Sequence, residues 1–338
     1  MASLKNMVDT FLLFSIALTF FSSVVLCRWW IRRAHDSDLV GKDMHKISRQ
    51  KVAEVGGLPV LFAFLFGILI FVGAKTFYFG NLAYEREIFA AVLTIAIIAM
   101  IGFIDDILGW KIGLRQWQKP LLCLFAALPV MMINSGVSHM NLPFFGLVEL
   151  GILYALIVVP IIISGAANGF NMLAGYNGLE AGMGIIILGA LGFIVWQVQG
   201  LSHVAMIAAI MIAALLGFLI FNKHPAKVFP GDTLTYMVGA TIAVVAILGN
   251  VEKAAFILFI PYFIEFFLKS RGGFRKESFA HVRDDGYLEK PYDKIYGLEH
   301  LMIAVLNRIG IKATEKRVVY SIYLIETVFV LLMIYFVI

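Results

Sequence analysis

Asp105 and Asp106 stand side by side at the end of an apolar run, roughly residues 88–104, that otherwise reads as membrane interior. An ionisable group near hydrocarbon is costly, so such a pair marks a pathway, a proton relay or a polyanion and metal site. Four further polar clusters accompany it: residues 41–57, which contain His45 and Glu54; the Gly- and Asn-rich stretch 164–182; residues 222–233, which contain His224 and end in Pro-Gly-Asp-Thr; and His281-Val-Arg-Asp-Asp285. Each has a plain reading. A lone His45 or His224 suits a solvated interface position, and Asn168 and Asn171, at i and i+3, suit hydrogen bonds between helices. Asp232 after Pro-Gly suits a helix N-cap, with Thr233 opening the next helix. Taken together the clusters suit a diphosphate and a divalent metal. Asp105, Asp106, Asp232, Asn171 and Asn177 offer hard oxygen donors. Lys and Arg neutralise phosphate oxygens, and Gly-rich turns let backbone N–H groups approach them. No Gly-x-x-x-x-Gly-Lys-Ser/Thr sequence occurs, which argues against an ATP-driven pump.

The elements that must hold these groups are membrane helices. The 338 residues are 61% hydrophobic and 14% charged, far more apolar than a soluble domain of this size needs. Stretches long enough to cross fall near 7–30, 57–74, 88–105, 119–133, 149–165, 184–199, 203–221, 234–249, 254–268 and 318–338. The expectation is an all-α polytopic membrane protein with about ten transmembrane helices. The first stretch is followed by Arg28, Arg32 and Arg33 rather than by a small-residue cleavage site, so it reads as a retained span. Cys27 and Cys123 both fall in apolar spans, which leaves neither a disulfide framework nor a Cys metal cluster. Alternate gaps divide the 27 Lys and Arg residues sharply, with only Lys5, Lys75, Arg86 and Lys253 on one side. The positive-inside rule makes the other side cytoplasmic and puts both termini outside. All five polar clusters then share the cytoplasmic face. Residues 1–338 read as one integral membrane domain, with 269–317 as a long cytoplasmic loop that completes the active site and carries a short surface helix near 297–307.

These clusters resemble the polyprenyl-phosphate N-acetylhexosamine-1-phosphate transferases, over most of the chain from Gly41 to about Tyr292. Gly102-Phe-Ile-Asp-Asp-Ile-Leu is similar to the family's Asp-Asp motif. Residues 168–182, Asn-Gly-Phe-Asn-Met-Leu-Ala-Gly-Tyr-Asn-Gly-Leu-Glu-Ala-Gly, are the most specific match and resemble the eukaryotic and archaeal branch; bacterial members show Asp-Gly-Leu-Asp-Gly there. Phe229-Pro-Gly-Asp-Thr233 resembles that branch's Phe-x-Gly-Asp-Thr. The resemblance implies Asn171 and Asp232 as Mg²⁺ ligands, with Mn²⁺ as a substitute ion. It implies Asn177 as a nucleotide contact and Glu54 as a contact at the uracil end. Lys119 matches the family's lysine after the Asp pair, with Arg115 as a competing match. His281 and Arg283 resemble the basic loop that reaches sugar and pyrophosphate, although the Arg-x-Arg pattern is not kept, which favours Arg283. Gly109 stands where the eukaryotic enzyme has an asparagine.

The activity so implied is transfer of GlcNAc-1-phosphate from UDP-GlcNAc to dolichyl or another polyprenyl phosphate, releasing UMP. A bacterial-type undecaprenyl-phosphate sugar-1-phosphate transferase and a nucleotide-sugar transporter are the alternatives. The transporter would place its substrate near the midplane with inverted repeats. The resemblance also implies a homodimer, and no nucleic-acid partner is expected. The membrane would be the cell membrane of an archaeon or the endoplasmic reticulum of a eukaryote. Successive helical residues point about 100° apart, so Asp105 and Asp106 need not reach one ion. The pair is therefore expected to act as catalytic-site residues that order the lipid phosphate and a nearby lysine.

Overall fold

A computed structural model describes residues 2–80, 84–109, 113–134, 139–142 and 146–337. Among the described residues the protein is all-α apart from three two-stranded hairpins. The helices are α1 (Ala2–Asp36), α2 (Gly57–Phe79), α3 (Glu85–Leu108), α4 (Gln118–Ala126), α5 (Leu128–Met132), α6 (Val159–Met172, entered through a π-helical turn at Tyr154–Val158) and α7 (Leu179–Gln197). They continue as α8 (Ser202–Asn222), α9 (Gly231–Leu248), α10 (Glu252–Leu258), α11 (Ile260–Ser270), α12 (Leu298–Arg308) and α13 (Glu315–Val337). The hairpins pair β1 (Val40–Lys42) with β2 (Lys51–Ala53), β3 (His139–Leu142) with β4 (Gly146–Glu149), and β5 (His281–Val282) with β6 (Leu288–Glu289).

Among the described residues, eight helices are long and apolar enough to cross a membrane. The other two expected crossings coincide with broken helices. Pro129 sits in the first turn of α5 and Pro261 in the first turn of α11. A proline lacks the N–H that would continue the ladder and its ring clashes with the carbonyl four residues back, so each helix is interrupted just before it. Pro261 thus begins a helix rather than kinking one. The expected spans also leave residues 166–183 between them as a loop. Instead α6 runs on to Met172 and α7 starts at Leu179, leaving only residues 173–178 as the turn. In an apolar surrounding, backbone groups that a loop would leave unpaired are satisfied by extending the helices.

Helix α9 is the axis of the bundle. Every residue from Thr233 to Leu248 is buried, as expected of a helix apolar all round, and α2, α3, α6, α7, α8 and α10 pack against it. The segment after α11 is not a surface appendage. Leu298, Glu299, His300, Met302, Ile303 and Leu306 of α12 are buried against α11 and α13. Burial and the neighbouring Glu265 carboxylate push Glu299 well above the usual carboxylate range. Neither of its oxygens has a hydrogen-bond partner among the described residues. The fold therefore favours the protonated form of Glu299 relative to the unfolded chain. A folded-state pKa above the unfolded value of about 4.3 means that stability falls as pH rises through the interval between the two. Glu299→Gln removes this loss: the thermal midpoint of the variant gains on wild type by a few degrees as pH is raised from 5 to 8. Parallel midpoint curves for the two proteins contradict a raised Glu299 pKa.

Candidate active site

The site forms where the end of α3, the start of α4, the end of α6 and the start of α9 converge. Lys119, in the first turn of α4, projects its ammonium between two acids. Nζ donates to Asp105 Oδ2 at 2.6 Å and to Asp232 Oδ2 at 2.7 Å. The side chains of Lys119, Asp105 and Asp232 are 19%, 16% and 23% exposed, so all three are shielded and none is sealed off. Asp105 Oδ1 also accepts the Leu114 N–H at 2.6 Å, which ties the chain after α3 to the same carboxylate.

Asp106 does something different. Its Oδ1 accepts the N–H of Asp232 at 2.7 Å, and its Oδ2 accepts the N–H and hydroxyl of Thr233 at 2.9 and 2.5 Å. The first N–H groups of a helix have no partner within it and carry the positive end of its dipole. Asp106 therefore caps α9 from another helix, a task the sequence assigned to Asp232. Two glycines allow the approach. At Gly102 a Cβ would stand 2.5 Å from the Asp232 carbonyl oxygen, so any side chain would push α3 off the start of α9. Gly231 has φ +69°, a left-handed conformation natural to glycine, and a Cβ there would meet the Asp106 carboxylate.

Asn171, in the last turn of α6, lies beside Asp232: its Nδ2 donates to Asp232 Oδ2 at 3.3 Å, and its Oδ1 accepts the Thr235 hydroxyl at 2.9 Å. Asn168, one turn earlier, takes the interhelical role, its Oδ1 accepting from Tyr236 Oη at 2.9 Å while its Nδ2 donates to the Ser164 carbonyl of its own helix at 2.8 Å. A cavity of about 250 Å³ opens next to this group, lined by Asp43, Glu54, Asn171, Asn177, Asp232 and Phe279 among others. Its wall joins two segments distant in sequence. Phe229 N–H donates to the Ala53 carbonyl at 2.7 Å, and the Gly56 and Gly57 N–H groups donate to the Phe229 and Pro230 carbonyls, both at 2.8 Å. Backbone pairing thus sets Glu54 against the Pro-Gly-Asp turn. Burial raises the Glu54 carboxyl above its ordinary value.

Glu54, Asn171, Asn177 and Asp232 are accordingly brought to one cavity, with Asp105 and Lys119 at its edge and Asp106 behind. Three expected residues are not brought there. Arg283 is half exposed and its guanidinium pairs with Asp285 (3.3 Å) and Glu289 (2.8 Å). His281 is exposed on β5. Arg115 is exposed, and its backbone N–H donates to Gln118 Oε1 at 2.8 Å, so Lys119 and not Arg115 is the cation at the Asp pair. Gly109 closes α3 with φ +75° and its N–H donates to the Asp105 carbonyl. Lys111 of the same segment lies outside the described residues. His45 is 6% exposed, not solvated. Sequence reasoning missed Asp43 and Glu315 entirely. Glu315 is the one acid among Lys312, Lys316 and Arg317 before the last span, a local signal that could have flagged it.

The fold is that of a polytopic membrane protein, with this acid–lysine–acid group gathered at the ends of its helices. Comparison with known proteins agrees, residues 88–250 matching glycosyl transferase family 4. The chain is 36% identical over 322 residues to a Saccharolobus solfataricus protein, covering 94% of each; its name assigns it provisionally as a UDP-N-acetylglucosamine–dolichyl-phosphate N-acetylglucosaminephosphotransferase. A Dictyostelium discoideum protein of that name is 30% identical over 269 residues, 68% of this chain and 64% of its own. A phospho-N-acetylmuramoyl-pentapeptide-transferase of Halalkalibacterium halodurans is 31% identical over 272 residues, 77% of this chain and 81% of its own. The chain belongs to the polyprenyl-phosphate N-acetylhexosamine-1-phosphate transferase superfamily, in its eukaryotic and archaeal branch.

Proposed function

We propose that the protein transfers GlcNAc-1-phosphate from UDP-GlcNAc to dolichyl or another polyprenyl phosphate, forming GlcNAc-diphospho-dolichol and UMP. The observation that carries this is Lys119, held between Asp105 and Asp232 at the edge of the cavity lined by Glu54, Asn171 and Asn177. A lipid phosphate oxygen attacks the β-phosphorus and UMP departs. Transfer of this kind needs positioning and charge neutralisation more than covalent help. The nucleophile is a phosphate monoester with a second pKa near ~6, so it is largely dianionic at neutral pH and requires no strong base. Both Asp105 oxygens are engaged, one by Leu114 N–H and one by Lys119, so Asp105 serves to hold the lysine. Lys119 supplies positive charge to the diphosphate as charge builds on the departing oxygen.

The donor chemistry beside Lys119 fits a small hard cation. Asp232 and Asn171 present a carboxylate and an amide side by side at the cavity, and Mg²⁺ is commonly held by one or two such groups plus waters and substrate phosphates. Asp232 and Asn171 would hold Mg²⁺, or Mn²⁺ in its place. The ion would neutralise diphosphate charge when bound.

An apolar groove suits the polyprenyl chain. It is lined by Ile161 and Gly165 of α6, Ala243 of α9, and Phe256, Phe259 and Phe263 of the broken α10–α11 pair. Gly165 precedes Asn171 by six residues, which at ~1.5 Å per residue is about 9 Å along α6. A chain in the groove could thus present its phosphate near Lys119. Glu265 of α11 turns inward, away from the groove, to accept the Leu298 N–H at 2.5 Å. The positive-inside bias supports a cytoplasmic site, and the greater identity to the Saccharolobus protein favours an archaeal cell membrane over the endoplasmic reticulum.

The test is mass-spectrometric identification of products from purified protein given several UDP-sugars, Mg²⁺ and dolichyl phosphate. GlcNAc-diphospho-dolichol with equimolar UMP is expected. Preference for undecaprenyl phosphate with another sugar would favour the bacterial-type reaction of the Halalkalibacterium relative. Flux of intact nucleotide sugar into sealed vesicles, without conversion, would favour a transporter.

A further inference from the structure

Behind the cavity wall, three loops meet the last helix at a single carboxylate. Glu315 opens α13 and is 4% exposed, at a helix start where negative charge is favoured. Its Oε1 accepts the Asn177 N–H at 2.8 Å and lies 3.6 Å from His45 Nδ1. Its Oε2 receives Lys46 Nζ at 2.5 Å and lies 3.5 Å from both His224 Nε2 and Asn177 Nδ2. Asp43 Oδ2 accepts the same Asn177 Nδ2 at 3.1 Å. His45 packs against Tyr176 with ring centroids 4.2 Å apart and planes tilted by 33°, and its Nε2 accepts the Ala280 N–H at 3.2 Å. Ligand atoms of Asp43, His45 and Glu315 lie within 4.8 Å of one another, a spacing suited to a metal ion. Lys46 already supplies the positive charge there, 2.5 Å from Glu315 and 3.5 Å from Asp43. The group is a filled polar knot, not a cation site.

Its consequence falls on Asn177, which lines the cavity. The backbone N–H and the side-chain NH₂ of Asn177 are both directed at carboxylates. Among the described residues none donates to its Oδ1. An amide turned over would set its oxygen against Asp43 and Glu315, acceptors facing an acceptor. We infer that Glu315 and Asp43 are positioning residues that lock the Asn177 amide with its oxygen toward the cavity, where it accepts an N–H or O–H from the nucleoside part of the substrate. The inference rests on the transferase reading for the identity of that ligand.

The experiment measures UMP binding to the purified full-length protein by calorimetry, with UDP-GlcNAc turnover followed in parallel. Glu315→Gln weakens UMP binding and raises the KM for UDP-GlcNAc about ten-fold, the effect of one hydrogen bond with a charged partner. It leaves kcat within about two-fold, since the reacting phosphates are not touched. In an Asn177→Ala background Glu315→Gln has no further effect on UMP affinity, because it acts through that amide. Asp43→Asn shows the same pattern and replaces Glu315→Gln should the latter fail to fold. Unchanged UMP affinity in both variants, or effects that add to that of Asn177→Ala, overturns the positioning role and leaves the transferase reading standing. A folded wild-type protein that neither binds UMP nor converts UDP-GlcNAc overturns both.

Discussion

Replacing Lys119 with methionine lowers kcat for UMP release by about a hundred- to a thousand-fold, the range seen when one preorganised charge-stabilising donor is removed from an active site. The lysine is the only described cation within ion-pair distance of both Asp105 and Asp232. Its loss therefore leaves two shielded carboxylates facing each other as well as an unneutralised diphosphate. The first consequence is structural and the second chemical, and they can be separated. Lys119→Met combined with Asp105→Asn relieves the repulsion and recovers thermal stability, but it does not recover turnover. Lys119→Arg restores only part of kcat, because a planar fork cannot occupy the point between two oxygens 2.6 and 2.7 Å from a compact ammonium. The measurement is initial-rate UMP release at saturating UDP-GlcNAc and lipid phosphate. A folded Lys119→Met protein turning over near the wild-type rate removes the lysine from the mechanism.

The second large effect is expected at Asp106, on stability first and on rate as its consequence. Asp106→Ala strips the partner from two backbone N–H groups and one hydroxyl at the start of α9. Losing a cap costs about 0.5–2 kcal/mol, and each buried donor left unpaired costs about 1–3 kcal/mol. A loss of roughly 2–4 kcal/mol is therefore expected. Asp232 lies in the freed turn, and a shift of about 1 Å in a reacting group can cost a hundred-fold in rate, so kcat falls as well. Asp106→Asn keeps one acceptor oxygen and recovers part of both. Thermal unfolding in detergent alongside UMP release checks the pairing of effects. An Asp106→Ala protein with wild-type stability and a large loss of kcat would instead make Asp106 a direct participant in the chemistry.

These two predictions show how far the adjacent acids could be read from sequence. Helical geometry separates their directions, and the structure sends Asp105 to Lys119 and Asp106 to the backbone of α9. Which acid goes where depends on where α4 and α9 lie, and nothing within residues 101–110 encodes that. The loop residues were harder. Arg283 reads as a free base by analogy, yet Asp285 and Glu289 of its own hairpin hold its guanidinium. His45 and His224 read as isolated, and Glu315, 270 and 91 residues away, gathers both.

Composition and hydropathy alone determined that this chain is a helical membrane protein, because hydrocarbon admits only segments that satisfy their own backbone groups. Local motifs determined which residues could carry phosphate chemistry, since the Asp pair, the Asn-rich turn and Pro-Gly-Asp-Thr are contiguous in the chain. Only the tertiary structure decided the division of labour among them. It put Lys119 between Asp105 and Asp232, made Asp106 a cap, and bound Asn177 to Asp43 and Glu315. The physical reason is that a charge at the edge of an apolar bundle must find its partner wherever packing places one, and packing brings together residues that sequence order keeps far apart.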